Sequence, residues 1–348
     1  MAQVKSKKSK YISYSLRFGV AVVALYLAFR GQSWGEVFEV IFGMNFWIFI
    51  TAFLFWFISQ LFFVTRWTLL MSVQSIHIGF WPALRLHFLG IFYNNCLPTA
   101  VGGDFLRAWY VTTHTDKKLE AALTVFIDRA IGLLGMGILA FTCYTFIPLE
   151  GKQDKLDLSL KLNFPHLVTE YWWQVIASLI LIVLIILGFW LTSVGRRLMG
   201  RGFAAIRHYG ELIFQRSIKA AKLYSNRKLA VVLALFLTFC CQSVLIIGMW
   251  LVGREMGIGV SLRYYFVFFP ISWVLGALPI SVGGWGIWEG ALIFMFGTVA
   301  VVSSEHILAL ALMHRILWLF GSQPGVIIHL IGAHLPKDFS VDYTENID

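Results

Sequence analysis

Apolar residues run through this chain in long, nearly unbroken blocks instead of recurring at the helical or strand spacing of a half-buried element. Ile12–Phe29, Phe46–Val64, Trp172–Leu191 and Leu229–Val252 each come close to the roughly 20 residues that cross a bilayer core. Ala121–Ile147 and Glu305–Ile331 are as long, but each carries charge: Asp128 and Arg129 in one, Arg315 in the other. Two further stretches, 88–110 and 264–302, are apolar but broken. Asn94, Asn95, Pro98, Gly102 and Gly103 interrupt the first, and Pro279, Gly283, Gly284 and Gly286 the second. A broken backbone facing lipid would leave its polar groups without partners, so each stretch is expected to enter and leave on one side as a re-entrant hairpin. The expected fold is all-α and integral to a membrane, with six full spans and two re-entrant helical hairpins; counting by hydropathy alone gives eight spans.

Composition agrees with this reading. Of 348 residues, 59% are hydrophobic and only 13% charged, with a mean hydropathy of +0.76. A soluble domain carries about 25% charged residues. The four cysteines (Cys96, Cys143, Cys240, Cys241) lie in apolar stretches without ligand spacing, so neither a disulfide framework nor a metal site is implied. No phosphate-binding loop, nucleophile elbow or paired histidine motif is present, and no cofactor is expected.

The net charge of +10 is concentrated at 5–10, at 66–118 and at 196–228. Positive charge in short loops marks the cytoplasmic side. The expected layout is a basic cytoplasmic N-terminus (1–11), a first repeat (12–147) containing hairpin 88–110, and an external loop (148–171). A second repeat (172–332) follows, with a basic cytoplasmic loop at 193–228 and hairpin 264–302, and then a cytoplasmic tail (333–348). In this layout Arg66 sits at the interface after a span ending at Val64. Met199, Phe203, Ile206, Ile213 and Tyr224 are spaced as one face of a helix, which suits either a surface helix on an anionic leaflet or an ordinary basic loop. Nucleic acid is the rival partner for a basic chain, but no recognition motif accompanies the charge.

The chain also repeats itself. Leu97-Pro98-Thr99-Ala100-Val101-Gly102-Gly103 matches Leu278-Pro279-Ile280-Ser281-Val282-Gly283-Gly284 at an offset of 181 residues, with five identities in seven. Each copy is preceded by an arginine (Arg66, Arg254), followed by a charge (Arg107, Glu289), and then by a polar pair inside the next span (Asp128-Arg129, His314-Arg315). Three crossings per copy would place the second upside down relative to the first, as in the inverted repeats of secondary transporters.

Charges at membrane depth cost roughly 2.5–3.5 kcal/mol each on insertion scales, so they pair or face water. Asp104, Arg107, Asp128, Arg129, Glu289 and Arg315 comprise three acids and three bases. One reading is a set of structural locks. The other is a headgroup path, with Asn94, Asn95 and the Gly102-Gly103 and Gly283-Gly284 backbone beside it, where the arginines meet a phosphate and the acids hold them.

The motifs LPxxxGGDxxR at Leu97–Arg107, Asp128-Arg129-x-x-Gly132-Leu133 and Pro279-x-x-x-Gly283-Gly284-x-Gly286-x-x-Glu289-Gly290 together resemble the flippase-like transmembrane domain of the lysylphosphatidylglycerol synthase family, over about residues 12–332. The resemblance implies movement of a lipid between leaflets. The chain is similar to the stand-alone form of that domain, without the aminoacyl-transferase domain, so lipid aminoacylation is not expected of it. His314 stands where the first repeat has Asp128. The function expected is a lipid flippase of the plasma (inner) membrane with both termini cytoplasmic, acting on an anionic or phosphate-bearing lipid and not as an enzyme. The alternatives are an intramembrane enzyme acting on a lipid phosphate, with Asp104 or Asp128 as base, and a non-transporting partner of a separately encoded lipid-modifying enzyme such as a glycosyltransferase. Single cysteines at positions 157 and 205, in a background lacking the native four, test the layout. An impermeant thiol reagent added to intact cells is expected to label 157 and spare 205; the reverse would overturn the topology.

Overall fold

The computed structural model describes residues 25, 26, 29, 31–96, 102–113, 118–146, 224, 227–277 and 281–332. Internal contacts divide the chain into two units, 1–148 with 223–348, and 149–222. All described residues belong to the first unit. The expected spans Ile12–Phe29 (but for three residues) and Trp172–Leu191, the 148–171 loop, most of the basic loop at 193–228 and the tail lie outside them.

The described residues form ten α-helices and no strand: α1 (Trp34–Phe42), α2 (Phe46–Val73), α3 (Phe80–Cys96), α4 (Gly102–Thr113), α5 (Lys118–Phe146), α6 (Lys228–Glu255), α7 (Leu262–Ala277), α8 (Ile287–Gly297), α9 (Ser304–Gly321) and α10 (Gln323–Ile331). Three of the described helices are long and apolar enough to cross a membrane, over Phe46–Val73, Glu120–Thr145 and Lys228–Glu255. At 28 residues, α2 is about 42 Å long, more than the roughly 30 Å of a hydrocarbon core.

The sequence of α2 explains both its start and its packing. Asn45 caps it, its side chain accepting the Trp47 N–H at 2.9 Å. Ala52, Trp56, Gln60, Val64, Trp67 and Leu70 are buried at three- or four-residue spacing along one face, while Leu54, Phe57 and Ile58 are exposed on the other. An exposed face as apolar as the buried one is what lipid, not water, tolerates. Thr51 and Thr65 turn their hydroxyls back onto the carbonyls four residues earlier, at 2.8 Å each, so that neither hydroxyl is left without a partner in hydrocarbon. The helix continues nine residues past the expected end at Val64, and Arg66 is buried within it and not at an interface.

Helix α6 packs along α2 more extensively than any other pair of described elements. Gly248 lies against Phe55 and Ala52, Thr238 meets Arg66, and Ala234 clusters with Leu70. Partner numbers fall as those of α2 rise, so the two helices are antiparallel. Adding 181 to the bounds of α2 and α3 reproduces those of α6 and α7 to within one residue. After each break a helix leaves the hairpin and packs on a longer one, α4 on α5 and α8 on α9. The expected final span, Glu305–Ile331, is not continuous: it divides into α9 and α10 at Ser322, where Pro324 opens the new helix. The hairpins also start earlier than expected, at Phe80 and Leu262.

Glycine sets the spacing of both hairpins. A Cβ on Gly103 would lie 1.8 Å from the Gly90 carbonyl oxygen of α3. Gly284, at φ 72°, would place one 2.6 Å from the Gly276 oxygen of α7. At the far end, α1 is fastened to α9: the Ser33 N–H donates to Glu305 at 3.2 Å, and the Ser303 hydroxyl to Glu36 at 2.9 Å.

Gly103→Ala is therefore expected to force α3 and α4 apart and destabilise the protein by about 1–3 kcal/mol. Gly137→Ala, where nothing lies within 4 Å, should be neutral or slightly stabilising because alanine favours helix. Thermal unfolding of the purified protein in detergent compares them; equal midpoints would refute the close hairpin.

Candidate functional site

The first polar cluster is built from α4 and α5. Asp104 lies in the first turn of α4, and Arg107, three residues on, occupies the same face. One carboxylate oxygen of Asp104 accepts from Arg107, and the other from Arg129 of α5. Both Asp104 and Arg107 are buried. The Arg107 guanidinium lies over the rings of Phe63 (5.4 Å) and Trp67 (5.0 Å) of α2 and reaches His87 Nδ1 at 3.4 Å. Arginine has no acceptor, so Nδ1 is the unprotonated nitrogen of a neutral His87. Its Nε2–H then donates to Gln60 Oε1 at 3.0 Å.

Asp128 precedes Arg129 in the chain but serves another contact, because consecutive residues on a helix point about 100° apart. It turns toward α2 and α6 and accepts from Arg66 Nε at 2.8 Å. Arg66 also donates to the Thr238 hydroxyl at 2.9 Å and lies over Phe63 at 4.6 Å. Asp128 is 0% exposed, and its second oxygen finds no hydrogen-bond donor among the described residues. Arg66 is not among the expected site residues, because the expected span ends at Val64. The signal was present in Trp67, Leu70 and Met71, which carry the apolar pattern beyond it.

The second cluster repeats the theme with different chemistry around it. Glu289, in the first turn of α8 and 0% exposed, accepts from Arg315 Nε of α9 at 2.8 Å and from the Gly286 N–H at 2.7 Å. Arg315 also donates to the Gly283 carbonyl at 3.3 Å, and its guanidinium lies over Trp285 (4.4 Å) and Trp288 (5.3 Å). His314, at the position equivalent to Asp128, stacks on Trp288 with ring centroids 4.4 Å apart. Its Nε2 accepts from Trp318 Nε1 at 3.0 Å. Indole only donates, so the proton of this histidine is on Nδ1, a buried atom without a partner among the described residues.

Among the remaining expected residues, Asn94 accepts the Gly103 N–H at 2.7 Å and so ties the hairpin together. Asn95 reaches across to the Trp318 carbonyl at 3.4 Å. Gly102 is buried at the start of α4, and Gly284 packs on Gly276. The two clusters are joined by contacts running from Arg107 through His87 and Gln60 to the Trp56 carbonyl. The Trp56 ring then meets Trp318 edge-on at 5.5 Å, and Trp318 binds His314.

In each half a buried carboxylate holds an arginine whose side chain remains partly open, 40% exposed for Arg129 and 23% for Arg315. The buried partner fixes the orientation of the guanidinium, which has five N–H donors in one plane and can serve a carboxylate on one edge and another oxyanion elsewhere. Among the described residues no group of three or more histidines, cysteines or acids is placed to hold a metal ion.

The sequence matches the family described as the lysylphosphatidylglycerol synthase TM region over residues 14–324. It is 22% identical over 303 residues to a protein of Methanothermobacter thermautotrophicus named UPF0104 membrane protein, an alignment covering 81% of this chain and 84% of that relative. The matched span holds every helix through α9 and all six of the charged residues singled out by their depth. Apolar outer faces, charges paired in the interior and a family match over most of its length place this membrane protein in the lysylphosphatidylglycerol synthase transmembrane-region family.

Proposed function

We propose that the chain moves an anionic, phosphate-bearing amphipathic lipid between leaflets, with Arg129 and Arg315 as two successive contacts for the phosphate. The observation that carries this reading is the repeated device in which a buried carboxylate holds a partly exposed arginine. A structural lock can be wholly buried, whereas a phosphate contact needs a guanidinium that a ligand can reach. The antiparallel α2 and α6, with equivalent hairpins after each, support an inverted repeat, a build in which a site near the midplane can be reached from either side. The tails would stay in the bilayer while the headgroup passes from one arginine to the other. Described contacts leave little room for an intramembrane enzyme using Asp104 or Asp128 as base, since both oxygens of Asp104 accept from arginines and Asp128 is sealed beside Arg66.

Lysine keeps the charge but not the planar fork of donors. Arg129→Lys and Arg315→Lys are therefore expected to slow lipid exchange nearly as much as the alanine variants, by about tenfold or more, the worth of one charged hydrogen bond of roughly 1.5–3 kcal/mol. The measurement is leaflet exchange of fluorescent lipids in vesicles holding purified protein, scored beside expression level and melting temperature. If Arg129→Ala and Arg315→Ala fold normally and move every candidate lipid at the wild-type rate, the pairs are locks and the reading fails. Asp128→Ala should behave differently. Leaving Arg66 buried without its partner is expected to cost about 3–5 kcal/mol of stability, seen as a lower melting temperature and yield.

A further inference from the structure

Helix α1 carries a face that does not suit water. It has nine residues and is about 14 Å long, too short to cross a bilayer. Its start is bound to the first residues of α9. The Ser33 N–H donates to Glu305, and the hydroxyls of Ser303 and Ser304 donate to Glu36 and Gln32 at 2.9 and 3.1 Å. At its other end, only Gly43 and Met44 separate it from Asn45, the cap of the membrane-spanning α2, a link of about 11 Å at most. It is therefore held across the starts of α9 and α2, at the level where α2 begins.

The nine residues present three faces. Val37 is buried, with Val40 and Ile41 half-buried beside it. Glu36 and Glu39 occupy a polar side, Glu36 turned to α9 and Glu39 exposed. The third face is aromatic. Trp34, Phe38 and Phe42, four residues apart, form a ladder with ring centroids 6.0 and 6.2 Å apart. They are 41%, 49% and 82% exposed, and Phe46 and Trp47 at the start of α2 extend the exposed surface, at 65% and 72%. Five large rings open together mark a surface that meets a partner or a membrane, and aromatic rings gather where hydrocarbon gives way to headgroups. Connectivity selects the membrane, since the stripe runs directly into the lipid-facing side of α2. Glu36 and Glu39 are the only charged residues from 31 to 47, so this segment has no base with which to draw an acidic headgroup, as basic surface helices do.

We infer that α1 is an interfacial anchor, its aromatic stripe sunk among the acyl chains just beneath the headgroups, and that its partner is zwitterionic lipid without any requirement for acidic lipid. The inference stands apart from the transport reading. Glu39 stays in water while Phe38 and Phe42 lie in hydrocarbon. Because α9 is bound to α1 at Glu305, the anchor also sets the depth of Arg315, about 15 Å further along that helix.

The test uses the purified full chain, with its native cysteines, in phosphatidylcholine nanodiscs. An environment-sensitive fluorescent amino acid replaces Phe38 in one variant, Phe42 in a second and Glu39 in a third. At 38 and 42, lipids brominated near the glycerol end of their chains are expected to quench about twofold or more better than lipids brominated near the methyl end, or than iodide in water. At 39, iodide should be the better quencher. Positions 38 and 42 are both exposed, and either one decides should the other variant fail to fold. Adding phosphatidylglycerol should leave the pattern unchanged. Iodide quenching at 38 or 42 equal to that at 39 would overturn the anchor, and so would stronger quenching from the methyl end. Quenching by neither lipid nor iodide would overturn it too, by showing that a second copy or another protein covers the stripe. Lipid quenching that requires phosphatidylglycerol would overturn the choice of partner.

Discussion

A guanidinium at bilayer depth needs a carboxylate within hydrogen-bond reach, and most of this architecture follows from meeting that need. Asp104 bonds two arginines from two helices, and Asp128 takes a third from α2. Each of these bonds also fixes a helix. Arg66–Asp128 holds α5 to α2 and, through Thr238, to α6. Asp104 holds α4 to α5 and, through Arg107 stacked on Phe63 and Trp67, to α2. Lipid supplies no hydrophobic drive between helices, so close packing at glycine and satisfied polar contacts carry more of the assembly than they would in water.

The halves resemble each other in geometry more than in chemistry. Both place an acid in the first turn of the helix after a break and an arginine on the next helix. The first half then adds a second ion pair, with Arg66 and Asp128. The second half has His314 before its arginine where the first has Asp128, and relies on stacking, with His314 on Trp288 and Trp318 against Trp56. Separating a buried ion pair leaves two uncompensated charges, whereas stacked rings can slide. The α2–α5–α6 side therefore has the character of a fixed frame, and the α8–α9 side that of a part joined by more forgiving contacts.

This difference bears on the proposed transport, in which one site would bind a headgroup and then release it. A buried acid orients both Arg129 and Arg315, so the proposed phosphate contact needs no large rearrangement of the arginine itself. The contacts that run on from Arg107, through His87, Gln60, Trp56, Trp318 and His314, are made by neutral groups.

Much of this was legible from the chain alone. Long apolar runs with few charges can be accommodated only in lipid, and the LPxxVGG motif with its flanking charges pointed to six charged residues, each of which the structure places in an ion pair. Helix bounds near breaks were less legible: α2 runs on past Val64 and the last span divides at Ser322, because apolar composition does not register where a side chain is buried or a proline restarts a helix. Partners were the least legible of all. Adjacent Asp128 and Arg129 look like a pair, yet the turn of the helix sends one to Arg66, 62 residues away in sequence, and the other to Asp104. The sequence by itself determined which charges had to be neutralised within the membrane; only the packing of α2, α5 and α6 decided with whom, because a hydrogen bond is made by proximity in space, and residue order along a helix scatters neighbours around its axis.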